Sequence, residues 1–310
     1  SDLNKVGFYG KLKIIFSFIR FLRKLKPTII LPFTEPINTI VNVFRPFTGA
    51  KKALFTMRGG TIISGPQSKF KRFVNYSKPI YISNSKHGAK LQADYLGIAV
   101  SKFNVIRNGI KMDIPLKTRA EWRSDLNVAM SDTVFIMVAN YYVEKKHSLL
   151  LEAWGKFEKG KNGVKLLLLG DRSPFDRDYF KAKGIILDNR LYTSVIQING
   201  TKDVSGILKA SDCGVLLTKS EGCPNSLLEC MSSEIPVIAS NIPAVCEVLG
   251  NDYQYLIEND SVQSVVSALE KVYLNENEGG LIKRNLEIVK SNYTYENLIS
   301  EYDELLRLKS

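Results

Sequence analysis

Ser220-Glu221-Gly222-Cys223-Pro224-Asn225-Ser226-Leu227-Leu228-Glu229 follows an apolar run, Cys213–Leu217, and leads into a helical one, Ser226–Ser232. A strand that hands over to a helix through a short turn containing Gly and Pro is the unit from which parallel α/β sheets are built. The free N–H groups at the start of such a helix, together with its dipole, favour a phosphate or diphosphate. Gly222 allows close backbone approach to a ligand, and Pro224 suits the turn that opens the helix. Glu221 stands before the turn and Glu229 about one helical turn in. Carboxylates do not bind phosphate, but they accept hydrogen bonds from sugar hydroxyls, so a nucleotide-sugar meets all three features at once. Ser226-x-x-Glu229 also has the spacing of a capping box, in which Glu229 would only satisfy a backbone N–H. A second carboxylate at the strand end, Glu221, favours the ligand reading.

Outward from this stretch the chain alternates strand and helix. Downstream of residue 112 the rhythm predicts strands Val134–Val138, Val164–Leu169, Val195–Ile198, Cys213–Leu217 and Pro236–Ala239. Helices are expected at Ser148–Glu158, Val204–Ala210 and Ser226–Ser232, with two more near 261–275 and 281–308 after a polar stretch at 111–127. Upstream, strands are expected at Thr28–Phe33, Ala53–Met57, Ile80–Ser83 and Asn104–Ile106, with helices near 36–45, 67–77 and 85–96. The implied architecture is two doubly wound, Rossmann-like α/β domains, 1–112 and 113–292, with the C-terminal helix 293–310 packing back on the first. Ligands in such folds sit at the carboxyl ends of the strands.

The charge is unevenly distributed. The 310 residues carry 43 Lys and Arg against 31 Asp and Glu, a net charge of +12. Residues 1–115 hold 20 of the basic residues and only Asp2, Glu35, Asp94 and Asp113 as acids, whereas the remainder is slightly acidic. Such a field points to a polyanionic partner, an anionic membrane surface or a nucleic acid. The basic half carries no RNA- or DNA-binding motif, so nucleic acid is the weaker reading. Phe8–Leu25 is a basic amphipathic helix, with Leu12, Ile15, Phe16, Ile19 and Leu22 at helical spacing among Lys11, Lys13, Arg20, Arg23 and Lys24. A helix of this pattern either packs on a sheet or lies on an anionic bilayer.

Four cysteines, Cys213, Cys223, Cys230 and Cys246, lack Cys-x-x-Cys spacing and accompany only two histidines, His87 and His147. That set supports neither a zinc site nor a secreted disulfide framework, and the expectation is a reduced, cytoplasmic protein. The two histidines are expected to serve structure. No apolar run reaches the length needed to cross a bilayer.

Glu-x₇-Glu in the setting Ser220–Met231, followed by Ile235-Pro-Val-Ile-Ala-Ser-Asn-Ile-Pro-Ala-Val-Cys-Glu-Val-Leu249, resembles the donor-binding signature of the GT-B glycosyltransferases of family 4. Val138–Trp154, Leu166–Gly170, Ile198–Gly200 before Asp203-Val204, Ala210–Asp212 and Val105–Ile110 fit the same pattern. The resemblance implies a retaining hexosyltransferase that takes a nucleotide-diphosphate-sugar, with UDP favoured, and adds the sugar to a glycan or lipid-linked acceptor in bacterial surface polysaccharide biosynthesis. The charge asymmetry supports a peripheral location at the inner face of the cytoplasmic membrane, with the basic half against the anionic surface.

Carried onto this sequence, the resemblance has Glu221 bind the donor sugar, Glu229 the ribose, and the backbone of Cys223, Pro224, Asn225, Ser226 and Leu227 the diphosphate. Lys145 neutralises the leaving diphosphate. The family usually pairs this Lys with an Arg five residues earlier, where this chain has Asn140, able to donate to phosphate but uncharged. A first-domain His faces the donor in many members; the matching place here is Arg58, with Gly59 and Gly60 on the acceptor side. The chemistry implied needs no cofactor and no metal. By comparison with the family, the first domain lacks its N-terminal strands, which raises a fragment, a partner chain completing the sheet, or a rearranged domain. Two other functions compete: a non-catalytic donor-binding subunit of a two-chain enzyme, and a basic nucleic-acid-binding protein.

Overall fold

The computed structural model describes residues 7–33, 35–60, 71–171, 177–274 and 278–309. The chain divides into two compact units, Ser1–Arg107 and Asn108–Ser310.

The first unit runs α1 (Phe8–Leu25), β1 (Ile29–Ile30), α2 (Glu35–Thr48), β2 (Lys52–Met57), α3 (Lys71–Tyr76), β3 (Ile80–Ser83), α4 (Lys86–Leu96) and β4 (Phe103–Val105). Its four parallel strands lie in the order β1-β2-β3-β4. Ser85 caps α4 by accepting from the Gly88 N–H, and Gly97, at φ +67°, ends it in the left-handed region that only glycine enters cheaply. The rings of Phe55, Tyr81 and Phe103 pack, tilted to one another, across adjacent strands with centroids 5.8 and 5.1 Å apart.

The strand expected over 28–33 is only two residues long, pairing Ile29 with Lys52 and Ile30 with Ala53. Beyond Ala53 the exposed edge of β2 is taken over by amides from α2. Asn38 accepts from the Thr56 N–H at 3.1 Å and donates to the Thr56 carbonyl at 2.6 Å, and Asn42 donates to the Leu54 carbonyl at 2.9 Å. Two buried side chains thus replace the ladder that a longer β1 would supply, which keeps the strand's polar groups satisfied.

The second unit continues α5 (Arg119–Asp125), β5 (Thr133–Val138), α6 (His147–Phe157), β6 (Val164–Leu169), α7 (Arg177–Asp188), β7 (Val195–Ile198), α8 (Val204–Ala210), β8 (Cys213–Leu216), α9 (Asn225–Ser232), β9 (Val237–Ser240), α10 (Pro243–Leu249), β10 (Leu256–Ile257), α11 (Val262–Leu274), α12 (Gly279–Asn292) and α13 (Tyr295–Lys309). Six parallel strands lie in the order β10-β9-β8-β5-β6-β7. The winding reverses between β5 and β8, which creates the crevice where ligands bind in sheets of this type. Phe135, Trp154 and Phe157 pack edge-on and tilted in the core. Arg123 is wholly buried, its guanidinium spent on the carbonyls of Ala210, Ala129, Met130 and Asp132 and on Asp212.

Further differences from the sequence reading have identifiable causes. The polar stretch 111–127 contains α5, opened by a true capping box of Thr118 and Glu121. The capping box weighed as the alternative at Ser226-x-x-Glu229 does not form, because α9 starts one residue earlier, behind Pro224, with no side-chain cap. The expected final helix is two, α12 and α13, because Ile110 takes the Tyr293 carbonyl at 2.9 Å and bridges to Thr294. Gly109 fits this join because a Cβ there would fall 2.5 Å from the Thr294 carbonyl oxygen.

Candidate functional site

At the carboxyl ends of β5 and β8, where the winding of the second sheet reverses, lies a cleft of about 400 Å³. The turn after β5 brings Lys145 to it, the loop after β8 brings Glu221, and the start of α9 brings Asn225 and Ser226. The two loops are laced together by the Lys219 N–H donating to the Glu144 carbonyl at 2.9 Å. Lys145 and Glu221, 76 residues apart in sequence, form a half-buried ion pair, Nζ to Oε1.

Pro224 begins α9 with its carbonyl facing back: the N–H groups of Leu227 and Leu228 both reach it, at 3.1 and 3.3 Å. The first N–H groups of a helix have no partner within it, so those of Asn225 and Ser226 remain for a ligand. The turn is held from behind by Asn108, a buried side chain whose Nδ2 donates to the Cys223 carbonyl at 3.3 Å and to Asn225 Oδ1 at 2.7 Å. Gly222 and Cys223 are buried beneath it.

The opposite wall is built from the ends of β5, β6 and β7. Asn140 Oδ1 accepts from the Asp171 N–H at 3.0 Å, Asp171 Oδ1 accepts from the Gly200 N–H at 3.1 Å, and the Gly170 N–H donates to the Ile198 carbonyl at 3.1 Å. A Cβ on Gly170 would lie 2.0 Å from the Ala139 carbonyl oxygen, and one on Gly200 2.4 Å from Asp171 Oδ1. Both positions therefore require glycine for space. Asn140 faces the cleft as expected, but its carbonyl is already spent on Asp171, so only its Nδ2 donors are left for an anion.

Glu229 lies one turn further along α9, in an adjoining cavity of about 330 Å³ that shares Val204 with the first. Burial pushes its carboxyl above the usual carboxylate range. That cavity is also lined by Lys111–Pro115, a segment fixed by Asp203, which accepts from the Leu116 and Lys117 N–H groups at 3.0 Å and from Trp122 Nε1 at 2.7 Å. Burial works against the charge of Asp203, yet these donors hold its carboxyl below the usual range.

His147 lies directly behind Lys145, buried and stacked on Tyr141 with ring centroids 4.4 Å apart. Burial lowers its pKa to about 4, a backbone contact at Ala139 partly opposes this, and the charge on Lys145 adds to the lowering. The histidine is therefore neutral packing under the lysine turn.

Arg58, Gly59 and Gly60 belong to the first unit. They follow the carboxyl end of β2, with the Arg58 guanidinium 5.4 Å over the Phe33 ring and its carbonyl accepting from Asn84 Nδ2 at 3.3 Å. The sequence contains an Asp-x-Asp, Asp176-Arg177-Asp178; its first residue is outside the described ones, and Asp178 stands in α7, lining a separate cavity. Among the described residues no group of three or more His, Cys, Asp or Glu is placed to hold a metal ion.

Sequence reasoning brought out Glu221, Lys145 and the α9 turn, which the fold assembles. It missed Asn108, Gly170, Asp171 and Gly200 as parts of the site. The signal available for Asn108 and Gly200 was Asn-Gly, at 108–109 and 199–200, which reads locally as a turn and no more.

The glycosyl transferases group 1 family matches residues 118–288. The chain is 22% identical to an uncharacterized glycosyltransferase of Methanocaldococcus jannaschii over 74% of this chain and 59% of the relative. It is 28% identical to the UDP-Gal:alpha-D-GlcNAc-diphosphoundecaprenol alpha-1,3-galactosyltransferase of Escherichia coli over 55% of this chain and 45% of the relative. The chain thus spans roughly half the length of these curated relatives. Among solved structures, a glycosyltransferase from Rickettsia africae superposes with a TM-score of 0.83 at 16% identity, covering 98% of this chain and 83% of that one. The Anabaena protein HepE, crystallised with UDP, superposes at 0.82 and 15% identity, covering 96% and 83%. These likenesses show the fold, two Rossmann-like units of the GT-B type.

Proposed function

This chain belongs to the group 1 glycosyl transferases, and from that premise we propose that it moves a sugar, with retention at the anomeric carbon, from a UDP-sugar to a glycan or lipid-linked acceptor. The observation that carries the proposal is the Lys145–Glu221 pair beside the open N-terminus of α9, in the cleft where the winding reverses. One cation and two free backbone N–H groups suit a diphosphate, and one carboxylate suits the hydroxyls of a sugar attached to it.

In this reading the diphosphate settles on the Asn225 and Ser226 N–H groups, within the Cys223–Leu227 turn, and draws the Lys145 ammonium toward it. Glu221, relieved of that partner, accepts from the donor sugar's hydroxyls, and Glu229 accepts from the ribose in the adjoining cavity. The bond between the anomeric carbon and the phosphate oxygen breaks with its electron pair going to the diphosphate. Lys145 and the Nδ2 donors of Asn140 stabilise the charge that develops there. The acceptor hydroxyl enters on the face the diphosphate leaves, and its proton passes to the departing phosphate oxygen, so that no protein nucleophile and no metal is required. Arg58, with Gly59 and Gly60, is assigned to the acceptor side. The E. coli relative is named for a diphosphoundecaprenol-linked acceptor, which supports a lipid-linked acceptor here, a role in bacterial surface polysaccharide assembly, and a place at the inner face of the cytoplasmic membrane.

The test is turnover of UDP-sugars, hydrolytic or to acceptor, by the wild type and by Glu221→Ala and Glu229→Ala. Each substitution is expected to abolish or sharply reduce it, and unchanged turnover in both would falsify the assignment. Undiminished turnover in excess chelator is expected as well. Asn140, standing where the family has an arginine, favours one second reading, a donor-binding subunit that needs another chain for catalysis. Titration showing UDP-sugar binding without turnover until that chain is supplied would select it.

A further inference from the structure

Helix α1 packs against helix α2, with Leu12, Ile15, Phe18, Ile19 and Leu22 its less exposed apolar residues. A second apolar set stays outside. Phe16 is 63% exposed, Phe21 56% and Leu25 60% on α1, and Phe47 is 61% exposed on α2. Between the two helices opens a cavity of about 450 Å³, walled almost wholly by carbon from Phe16, Ile19, Phe44 and Phe47 and rimmed by Arg20 and Arg23. Neither arginine has an ion-pair or hydrogen-bond partner among the described residues, and the same is true of Lys11, Lys13, Lys24 and Lys26 along the helix. No acid occurs anywhere in α1.

We propose that the α1–α2 face is a docking site for anionic phospholipid, with an acyl chain in the cavity and the headgroup phosphate on Arg20 and Arg23. The occupant must be apolar in the slot and negative at its rim, and a phospholipid of the anionic class is both. A second copy of the chain would bring another strongly basic half against this one, which like-charge repulsion opposes. Each exposed aromatic that enters the bilayer interface adds apolar burial, while each of the six cations adds attraction that salt weakens. A short-range apolar term and a screened electrostatic term therefore act on the same surface. This inference extends the membrane placement proposed above, and it rests on observations in the first unit alone.

The experiment is co-sedimentation of the full chain with vesicles of phosphatidylcholine, with and without one-third phosphatidylglycerol, at low and at physiological salt. Two double variants are compared with the wild type: Phe16→Ser with Phe47→Ser, and Arg20→Gln with Arg23→Gln. The wild type is expected to partition at least tenfold more strongly onto the anionic vesicles, and each variant to lose at least fivefold. The arginine variant is also expected to show a shallower salt dependence. Dihexanoyl phosphatidylglycerol is expected to raise the thermal midpoint of the wild type and not of the phenylalanine variant, and glycerol 3-phosphate, which has the headgroup without the chains, to raise neither. UDP titration and circular dichroism on the same preparations report folding and donor binding separately, so a failed donor reading leaves this result interpretable. Equal partitioning onto both vesicle types overturns the proposal, as does indifference to either variant. A concentration-dependent dimer abolished by the phenylalanine variant overturns it in favour of a second copy, and salt-resistant retention of RNA in favour of nucleic acid.

Discussion

Replacing Asn108 by Ala removes the two hydrogen bonds that hold the α9 turn, to the Cys223 carbonyl and to Asn225 Oδ1. A neutral hydrogen bond contributes a net 0.5–1.5 kcal/mol, so about 1–3 kcal/mol of ordering at this turn is at stake. If about half of it is drawn from the binding of whatever the turn holds, the loss is about 1 kcal/mol, or about fivefold in affinity. In the proposed pose the turn faces the diphosphate and not the base. Isothermal titration should therefore show UDP affinity down about fivefold in Asn108→Ala with uridine affinity changed less than twofold. Asn108→Asp keeps the shape but sets an acceptor against two acceptors, and its loss for UDP should be at least as large. Because Asn108 and Asn225 are bonded directly, their double alanine variant should lose less than the two single losses added together. Equal losses for UDP and uridine, or none for either, would refute the reasoning, since the first describes a general loosening and the second a turn that needs no support.

Other outcomes follow from the same geometry. Lys145→Ala should reduce UDP-sugar turnover by about a hundredfold to a thousandfold, the range seen when one preorganised electrostatic group is removed, with circular dichroism unchanged. Gly170→Ala should destabilise the second unit by at least about 3 kcal/mol in urea denaturation, because its Cβ meets a backbone carbonyl that has nowhere to move. Gly200→Ala meets a side-chain oxygen instead and should cost less stability while still weakening UDP binding. His147 is neutral in the folded chain, with its pKa lowered to about 4 from about 6.5. The unfolded chain therefore binds the extra proton first as pH falls. Stability should drop below pH 6.5 by about 2 kcal/mol at pH 5 and about 3 kcal/mol once the pH is under 4. Denaturation of His147→Phe should show that part of the slope removed, and an unchanged slope would place the titration elsewhere.

Much of the fold could be read from the chain because its signals are local. Ile80–Ser83, Val164–Leu169 and Val195–Ile198 are strands with the expected bounds, and α1 is a helix over the expected residues. What escaped depends on distant partners. The break between α12 and α13 is made by Ile110, nearly two hundred residues away, and the shortness of β1 by amides on α2 that bond the next strand. Helix α7 escaped because Gly184 and the charged residues scattered along it, Arg177, Asp178, Lys181, Lys183 and Asp188, blur its period. At the site, Glu221 was legible because two carboxylates spaced about a strand-to-helix turn carry chemistry, and Lys145 through the family resemblance, whereas Asn108 and Asp171 act on groups brought to them by folding.

The chain of bonds across the cleft's far wall, from Asn140 to Asp171 to Gly200 with Gly170 tucked under Ala139, bears on engineering. Three connections that look like separate cassettes in sequence share one set of fasteners. Grafting any one of them from another enzyme to alter which nucleotide is accepted would unfasten the other two. An exchange that respects this wiring would move residues 139–140, 170–171 and 199–200 together.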